Sequence, residues 1–356
     1  MSPKIKWLAW GAAIILLVYT RFINLSWGLP FPFHPDERNI ANAIQGLNCN
    51  ISNCLNPHFF AYGQLPIYLG YVLIFISRLV TKISGAVRFD EAVIALRFIS
   101  ATASLATVYV SHKILKQFIP NTQYRIPYTL PLIFSPVLIQ LAHFGTTESL
   151  LMLFYTWLVF LCLKLQAKHN SKNIDNVYIW IGVTTGLAIA TKVSSILFIF
   201  LPFWTVTLGH FQPRRLEVAG SRYERFWQRF NELVFVGFIA GATAIISSPY
   251  NLISWKDFIS SIGYESMVAT GRALVFYTRA FTDTVPAFFQ FQQIFPYALG
   301  WPVFALFLVG FVFLPWKRNF NVLRIAFFIY FLPTAFLFTK WTRFMAPVLP
   351  LMIIIA

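Results

Sequence analysis

Acidic side chains are scarce in this sequence: only 12 of its 356 residues are Asp or Glu, and charged residues of either sign make up 11%. Soluble domains carry roughly 25% charged residues. The sequence also lacks P-loop and dinucleotide-binding glycine motifs, paired CxxC metal motifs, and Ser/His/Asp or Cys/His nucleophile patterns, which excludes the reactions that depend on them. Each carboxylate that does occur is therefore a candidate for chemistry rather than for solubility.

Cysteine is nearly absent too, with three residues in the whole chain. Cys162 lies inside an apolar run, where a thiol serves as a small packing residue. Cys49 and Cys54 share a polar loop and are close enough in sequence to form a disulfide if that loop faces an oxidising compartment. Two free thiols remain the alternative.

Hydrophobic residues fill 58% of the chain, and the mean hydropathy is +0.65. Repeated apolar runs of membrane-span length predict an all-α, polytopic integral membrane protein with about ten transmembrane helices. The first run is too long for a cleaved signal peptide and lacks a small-residue cleavage site, so we expect it to be retained. The predicted spans are 7–25, 92–115, 126–146, 150–166, 177–192, 193–209, 231–249, 291–313, 322–339 and 344 to the end.

The distribution of basic residues predicts the orientation. Lys4 and Lys6 precede the first span, so the amino terminus is expected in the cytoplasm and the active site on the outer face of the cell membrane. Alternation then places 16 of the 28 Lys and Arg residues inside with 4 of the 12 acids. This holds only if the apolar segment 61–83 does not cross, so we interpret it as an interfacial or re-entrant helix. We attribute the net charge of +16 to cytoplasmic loops and to the binding of anionic lipid, rather than to the binding of nucleic acid.

With this orientation, eight of the acids fall on the outer face and none in the middle of a span. An ion-coupled transporter is expected to carry ionisable residues near the membrane midplane. The pattern favours an enzyme that works at one membrane surface. The eight are Asp36, Glu37, Asp90, Glu91, Glu148, Asp257, Glu265 and Asp283.

The adjacent acids Asp36 and Glu37 form the strongest candidate for catalysis. The alternative is a solvated loop in which Asp36 caps the following helix and Glu37 lies in its first turn. Glu148, at the junction of two spans, could complete an outer cavity or simply begin a helix. A zinc site from His34, Asp36 and His143 is a further alternative.

Basic side chains at the outer surface are candidates for binding a lipid-linked phosphate. They are Lys192, in an apolar hairpin, and Lys340 and Arg343, which precede the last apolar run. Anchoring at the membrane interface would explain each of them equally well. Glu265 lies in the outer loop 250–290, which is predicted to hold an amphipathic surface helix. The two alternatives for Glu265 are a position at the edge of the cavity and a solvated charge.

Short motifs in a fixed order resemble the C-type (GT-C) membrane glycosyltransferases, and most closely their protein O-mannosyltransferase and aminoarabinose lipid A transferase group. The matching motifs run along nearly the whole chain. They are His34-Pro-Asp-Glu37, Gln64-Leu-Pro-Ile-Tyr68, Leu96-Arg97, Thr147-Glu148, Ala190-Thr-Lys192, Tyr264-Glu265, and Lys340-x-x-Arg343 with Pro347 and Pro350.

The resemblance implies a single membrane-embedded module, 1–356, with a catalytic first outer loop at 26–91. It implies sugar transfer from a polyprenyl-phosphate donor to an acceptor protein, lipid or glycan, with Asp36 as base, Glu37 beside it and Glu148 as the second acidic position. Arg97, Lys192, Lys340 and Arg343 would face the cavity or the carrier phosphate. Gln64 departs from the Lys or His of many bacterial relatives. Relatives also often continue beyond the point where this sequence stops, so a fragment of a longer protein stays open.

The proposed chemistry needs few groups. Phosphate is already a good leaving group, so the enzyme must neutralise its charge and deprotonate the acceptor hydroxyl. One carboxylate and two or three Lys or Arg side chains suffice for this. A direct displacement inverts the anomeric configuration. No cofactor is required by this scheme, although a divalent metal stays open. A lipid or solute transporter or flippase with an outer acidic vestibule is the alternative function, and a non-catalytic relative is a third.

Overall fold

The structure is a computed structural model, and it describes residues 3–31, 33–47, 55–119, 122–167, 174–207 and 222–356. The described residues form helices and no strand. Cys49 and Cys54 lie outside the described residues, so their pairing stays a prediction. The α-helices are α1 (Pro3–Phe22), α2 (Pro35–Gly46), α3 (Leu65–Thr81), α4 (Phe89–Phe118), α5 (Thr122–Phe134), α6 (Pro136–Ala142), α7 (Glu148–Ala167), α8 (Ile174–Thr191), α9 (Phe200–Thr207), α10 (Arg222–Ser247), α11 (Tyr250–Ile253), α12 (Trp255–Thr270), α13 (Phe295–Leu299), α14 (Trp301–Phe313), α15 (Arg318–Ala335) and α16 (Leu349–Ile355).

Four of the described helices are long and apolar enough to cross a membrane: α1, α4, α7 and α10. A fifth span exists if α13 and α14, with the π-helical turn before them, count together. Three other predicted spans, 177–192, 193–209 and 344 to the end, correspond to shorter apolar helices, and so does the segment α3 that was predicted not to cross. The chain is therefore an all-helical membrane protein, and the predicted number of ten spans stays a prediction.

Helices α4 and α7 form the centre of the bundle, and α1 and α10 lie at its edge. In the most apolar window of α4 and α7, 61% and 72% of the residues are buried, against 11% in α1 and in α10. α7 packs against α4, α8 and the 3₁₀ segment Thr342–Val348, and α8 packs along α10. The edge helices therefore present apolar side chains to lipid. The ends of α4 and α7 are fixed by the packing of these two helices inside the bundle.

Two predicted spans are broken. The segment 126–146 is interrupted at Ser135, between α5 and α6, because Pro136 has no N–H to continue the helical hydrogen bonds. The segment 291–313 bends by 117° at Gly300, between α13 and α14. Gly300 adopts a φ of 85°, which an L side chain rarely takes. Simple hydropathy runs do not reveal such breaks.

The break before α6 is held by a residue that our sequence analysis did not select. Arg21, at the end of α1, is fully buried and donates to the carbonyls of Leu132 at 3.0 Å and Ile133 at 2.9 Å. Its Nε also donates to Ser104 Oγ at 2.9 Å. The Leu132 carbonyl would normally accept from residue 136, which is Pro136. Arg21 thus satisfies an acceptor that the proline leaves without a donor.

The segment between α1 and α4 contains two helices that pack on the beginning of α4. Both α2 and α3 contact α4 and each other. Arg78, near the end of α3, donates to Glu91 Oε2 at 2.6 Å and to the Gly85 carbonyl at 2.6 Å. These contacts fold the end of α3 back toward the first turn of α4. The interfacial or re-entrant position predicted for this segment stays a prediction.

Candidate active site

The first acidic motif begins helix α2. Pro35 occupies the first helical turn, and the His34 ring Nδ1 accepts a hydrogen bond from the Asp36 N–H at 3.3 Å. His34, not Asp36, is therefore the N-cap, and the interpretation of Asp36 as the cap is wrong. Burial lowers the pKa of His34 below its ordinary value of 6.5, which suits a ring nitrogen that must accept a hydrogen bond. The Asp36 carboxylate is left free of the cap and forms an ion pair with Arg343.

Glu37 forms a fully buried ion pair with Arg97. Its two oxygens accept from Arg97 Nε at 2.7 Å and Nη2 at 2.8 Å, and both side chains have 0% exposure. Arg97 Nη1 also donates to the carbonyls of Leu25 and Trp27, just after α1. The pair thus joins α2, α4 and the end of α1. A buried Arg97 with these partners is not placed to meet a carrier phosphate.

Gly145 completes the surroundings of Glu37. Its N–H donates to Glu37 Oε1 at 2.6 Å. A Cβ at this position would lie 2.5 Å from Leu96 Cβ and 3.1 Å from the same carboxylate oxygen. Only glycine allows the chain between α6 and α7 to approach so closely. The turn that leads into Glu148 is therefore fixed by Glu37.

Glu148 forms the third ion pair of the site, with Lys192. Glu148 opens α7, is buried, and lies with its Oε1 at 3.3 Å from Lys192 Nζ. Lys192 follows α8, where the chain turns into the 3₁₀ segment Val193–Ile199. The ammonium group also lies over the Tyr62 ring, 5.1 Å from its centroid. Lys192 is thus directed into the protein rather than toward the lipid headgroups.

The ion pairs Asp36–Arg343 and Glu148–Lys192 meet at the Phe344 ring. Lys192 Nζ lies 5.5 Å from the centroid of this ring, and the Arg343 guanidinium lies 5.9 Å from it. Arg343 also lies 5.8 Å from the Trp341 ring. The charges of Glu148, Arg343, Glu37 and Lys192 all act on His34. Four of the residues selected from the sequence are therefore gathered in one cluster: Asp36, Glu148, Lys192 and Arg343.

Two selected residues lie apart from this cluster. Lys340 is buried and donates from Nζ to the Phe338 carbonyl at 2.9 Å, beside the end of α12. Burial lowers the pKa of Lys340 from its ordinary value. Glu265 is exposed on α12, and Lys192 acts on its charge, although loss of hydration raises the pKa of Glu265 above its ordinary value. The charge of Lys192 is the link between Glu265 and the cluster, whereas Lys340 donates to a carbonyl of its own segment.

Gln64 joins the segment between α2 and α3 to the chain before α12. Its Oε1 accepts from the Tyr250 N–H and from the Tyr68 hydroxyl, each at 3.0 Å, and its own N–H donates to Ser248 Oγ at 3.0 Å. The side chain is fully buried. A neutral amide can donate and accept in this network, which a lysine could not. Here Gln64 is a structural residue, so the cations of the site are Lys192 and Arg343.

The zinc site considered from the sequence is not assembled. His143 points both ring nitrogens at backbone carbonyls, Ile139 at 2.8 Å and Ile23 at 2.9 Å. Within the described parts of the chain, no group of three or more His, Cys, Asp or Glu side chains is close enough to hold a metal ion. His34 and Asp36 therefore serve the start of α2 and the ion pair with Arg343.

Tyr62 and Phe344 adjoin the cluster but were not selected from the sequence, and His34 was considered only as a zinc ligand. Phe344 directly follows Arg343 and His34 opens the first acidic motif, so proximity in sequence was the available signal. Tyr62 has no such signal, because it reaches Lys192 across 130 residues through the packing of the first loop on α8. Its phenol is almost fully buried, and burial raises the pKa of Tyr62 well above the ordinary value.

Comparison with known proteins identifies relatives by sequence model and by fold. Residues 71–246 match the family model described as dolichyl-phosphate-mannose-protein mannosyltransferase. No curated protein sequence matches the chain. Among solved structures, ArnT from Cupriavidus metallidurans bound to undecaprenyl phosphate matches with a TM-score of 0.68 at 14% identity. The match covers 100% of this chain and 60% of ArnT, so the chain spans less than two thirds of that protein.

Two other solved structures share the fold. The Archaeoglobus fulgidus oligosaccharyltransferase in its apo form matches with a TM-score of 0.63 at 12% identity, over 98% of this chain and 49% of that one. The S. cerevisiae protein O-mannosyltransferase Pmt1–Pmt2 complex bound to the sugar donor matches with a TM-score of 0.50 at 14% identity. That match covers 72% of this chain and 35% of that one. At such low identity the structural matches establish the fold alone.

Proposed function

We propose that this chain transfers a glycosyl group from a polyprenyl-phosphate-linked sugar to an acceptor. Its fold, similar to that of ArnT, and the match of residues 71–246 to a mannosyltransferase family model support the proposal. The observation that carries the proposal is the meeting of two ion pairs, Asp36–Arg343 and Glu148–Lys192, at the Phe344 ring. Two carboxylates and two cations in one cluster are the groups that a glycosyl phosphate and a hydroxyl acceptor require.

Both carboxylates are paired with cations, so the donor must change these contacts. The donor phosphate carries negative charge and competes with Asp36 for Arg343 and with Glu148 for Lys192. Arginine can bind phosphate through two parallel N–H donors. Once Arg343 has turned to the phosphate, the Asp36 carboxylate is free to accept a proton. In this proposal donor binding itself releases the base.

The reaction is then a single displacement. Asp36 takes the proton of the acceptor hydroxyl, whose oxygen attacks the anomeric carbon of the sugar. The bond from that carbon to the phosphate oxygen breaks, and the electron pair leaves with the polyprenyl phosphate. Lys192 and Arg343 stabilise the charge that develops on the leaving phosphate. One displacement inverts the anomeric configuration, and a product that retained the donor's configuration would exclude this mechanism.

The remaining selected residues take other roles in this proposal. Glu37 and Arg97 position the site, because their buried ion pair joins α2 to α4 and, through Gly145, to the turn before Glu148. Glu265, across from Lys192, is proposed to contact a sugar or acceptor hydroxyl. Lys340 holds the backbone that leads to Arg343 rather than contacting the carrier. The sugar and the acceptor stay open between the classes named above.

The cluster is proposed to lie at the outer face of the membrane. The amino terminus would be cytoplasmic, as Lys4 and Lys6 suggest, and α1 would carry the chain across to Asp36. All four cluster residues follow or begin helices at the same end of the bundle, because Glu148 opens α7 and Lys192 follows α8. An active site there would receive both a lipid-linked donor from the membrane and an acceptor from outside.

The test is a transfer assay in membranes with radiolabelled polyprenyl-phosphate sugars. We compare wild type with Asp36→Asn and Glu148→Gln, and use Asp90→Asn as the matched control, because Asp90 is a partly exposed carboxylate in the first turn of α4 that forms an ion pair with Arg88. Transfer should fall by about 10²-fold or more in Asp36→Asn, as removal of a general base does, and should persist in Asp90→Asn. Unchanged transfer in folded Asp36→Asn would remove the proposed base. Carrier-dependent flux of solute without sugar transfer would favour a transporter instead.

A further inference from the structure

A long apolar groove lies on the other half of α1, away from the active site. It has a volume of about 690 Å³ and runs between α1, α4 and α5. Its walls are mainly aliphatic and aromatic, with Ile14 and Leu17 from α1 and Leu105 and Val108 from α4. The groove is open on one side, and that side faces the lipid because α1 is an edge helix. A space of this shape suits a hydrocarbon chain.

One end of the groove is basic. Lys6 and His112 line it there, and the Trp10 ring contacts the His112 ring edge-on at a centroid distance of 4.9 Å. His112 Nδ1 lies 3.3 Å from Thr129 Oγ1, so the imidazole is held in place on the groove wall. Lys113 follows on α4. None of the residues that line the groove is acidic, and the first turn of α1 has no acid either.

The groove and the active site lie toward opposite membrane surfaces. His112 is 15 residues beyond Arg97 on α4, a distance of about 22 Å at 1.5 Å per residue. Along α1, the groove extends from Lys6 to Val18, or about 18 Å. This is somewhat more than half of a hydrocarbon core of about 30 Å, so the groove spans one leaflet. Its basic end lies at the level of that leaflet's headgroups.

We propose that this groove is a binding site for an anionic phospholipid of the leaflet that faces the amino terminus. One acyl chain fills the groove between α1 and α4, and the headgroup phosphate contacts Lys6 beside His112. Charge complementarity selects the anionic headgroup, since a basic end without acids attracts negative charge. The amino end of α1 adds the positive end of a helix dipole. The polyprenyl carrier is not the occupant, because its phosphate belongs to Lys192 and Arg343 at the other surface.

The consequence is structural. α1 is mostly exposed, and its contacts to the bundle are made through α4, α5 and α6. A lipid chain in the groove would add apolar contacts along the length of α1 that the protein alone does not supply. The bound lipid would therefore hold the edge helix that leads to Leu25 and Trp27, whose carbonyls accept from Arg97.

The experiment uses the full chain in nanodiscs that contain phosphatidylglycerol or phosphatidylcholine with a photoactivatable acyl chain, followed by peptide mapping. Labelling of α1 and α4 peptides at the groove should be about fivefold higher with phosphatidylglycerol, as expected for one lysine near a headgroup. Lys6→Gln should remove this preference. Lys4→Gln is the matched control, because Lys4 is exposed and does not line the groove.

A second pair of variants tests the apolar part. Ile14→Trp should block the groove and reduce labelling by either lipid, whereas Ile15→Trp should not, because Ile15 is also exposed but lies outside the groove. Equal labelling by the two lipids, or equal effects of the two lysine variants, would overturn the headgroup assignment. Displacement of the label by undecaprenyl phosphate more effectively than by unlabelled phosphatidylglycerol would assign the groove to the carrier.

Discussion

Asp36 and Glu37 are adjacent carboxylates with different surroundings, so the same amide substitution should have different effects. The Asp36 side chain is 13% exposed and its partner Arg343 is 27% exposed, whereas Glu37 and Arg97 are both at 0%. We expect Glu37→Gln to destabilise the fold. Asp36→Asn is expected to stop transfer and leave the stability close to that of wild type.

The magnitude follows from the contacts of Glu37. Its carboxylate accepts three hydrogen bonds, two from Arg97 at 2.7 and 2.8 Å and one from Gly145 at 2.6 Å. A glutamine replaces one acceptor oxygen with an amide donor that faces the guanidinium, and it leaves the buried Arg97 charge without a counter-ion. Loss of one partner of a buried pair costs about 3–5 kcal/mol of unfolding free energy. Because Arg97 keeps its hydrogen bonds to two carbonyls, we expect a loss of unfolding free energy at the lower end of this range, about 3 kcal/mol.

For Asp36→Asn the expected cost is about 1 kcal/mol. The ion pair is partly exposed, and asparagine keeps an oxygen that can accept a hydrogen bond from Arg343. Unfolding can be followed in mixed micelles by titration with a denaturing detergent and by tryptophan fluorescence. The activity of each variant is measured at a concentration where it is fully folded.

A double-mutant cycle provides the control. Arg97→Met alone leaves the Glu37 charge buried and should be as damaging as Glu37→Gln. The double variant removes both charges and should be more stable than the sum of the two single effects predicts. If the unfolding free energy of Glu37→Gln lies within about 1 kcal/mol of the wild-type value, the Glu37–Arg97 pair does not stabilise the fold as we infer. Loss of transfer in fully folded Glu37→Gln would instead make Glu37 a catalytic group.

Three further outcomes are expected. Lys192→Gln should raise the donor KM by about 10-fold or more, because one charged hydrogen bond to the phosphate is lost. Lys256→Gln should leave the KM unchanged, because Lys256 is an exposed residue on α12. Arg21→Met should lower the unfolding free energy by about 2 kcal/mol or more, because the Leu132 carbonyl loses its donor. In a chain without other cysteines, Ala86→Cys should react with an impermeant reagent from outside only; reaction exclusively from inside would mean that α3 crosses the membrane.

The sequence predicts the helical membrane architecture and most of the cluster. Asp36, Glu148, Lys192 and Arg343 could be selected because charged side chains at the ends of apolar runs are few, and the order of motifs resembles a known family. Their assembly into two ion pairs could not be predicted, because it depends on how α2, α7, α8 and the last 3₁₀ segment pack.

The differences have particular physical reasons. Arg97 and Lys340 are basic residues near an expected cavity, but backbone carbonyls take up their donors, and sequence patterns do not reveal such tertiary acceptors. Arg21 resembles an ordinary charge at the end of a span. Pro136 predicts an orphaned carbonyl at Leu132, yet nothing local indicates that its donor comes from a residue 111 positions earlier.

The pairing of Asp36 with Arg343 across 307 residues has a consequence for biosynthesis. At about 5–20 residues per second, the ribosome makes the arginine roughly 15–60 s after the aspartate. During that interval a nascent chain inserted in the membrane contains Asp36 without its partner, and for the first half of the interval it also lacks Lys192. In the proposed mechanism, a chain that ends before residue 343 would therefore lack one of the two cations for the donor phosphate, and transfer would require the segment that carries Arg343 to have joined α2.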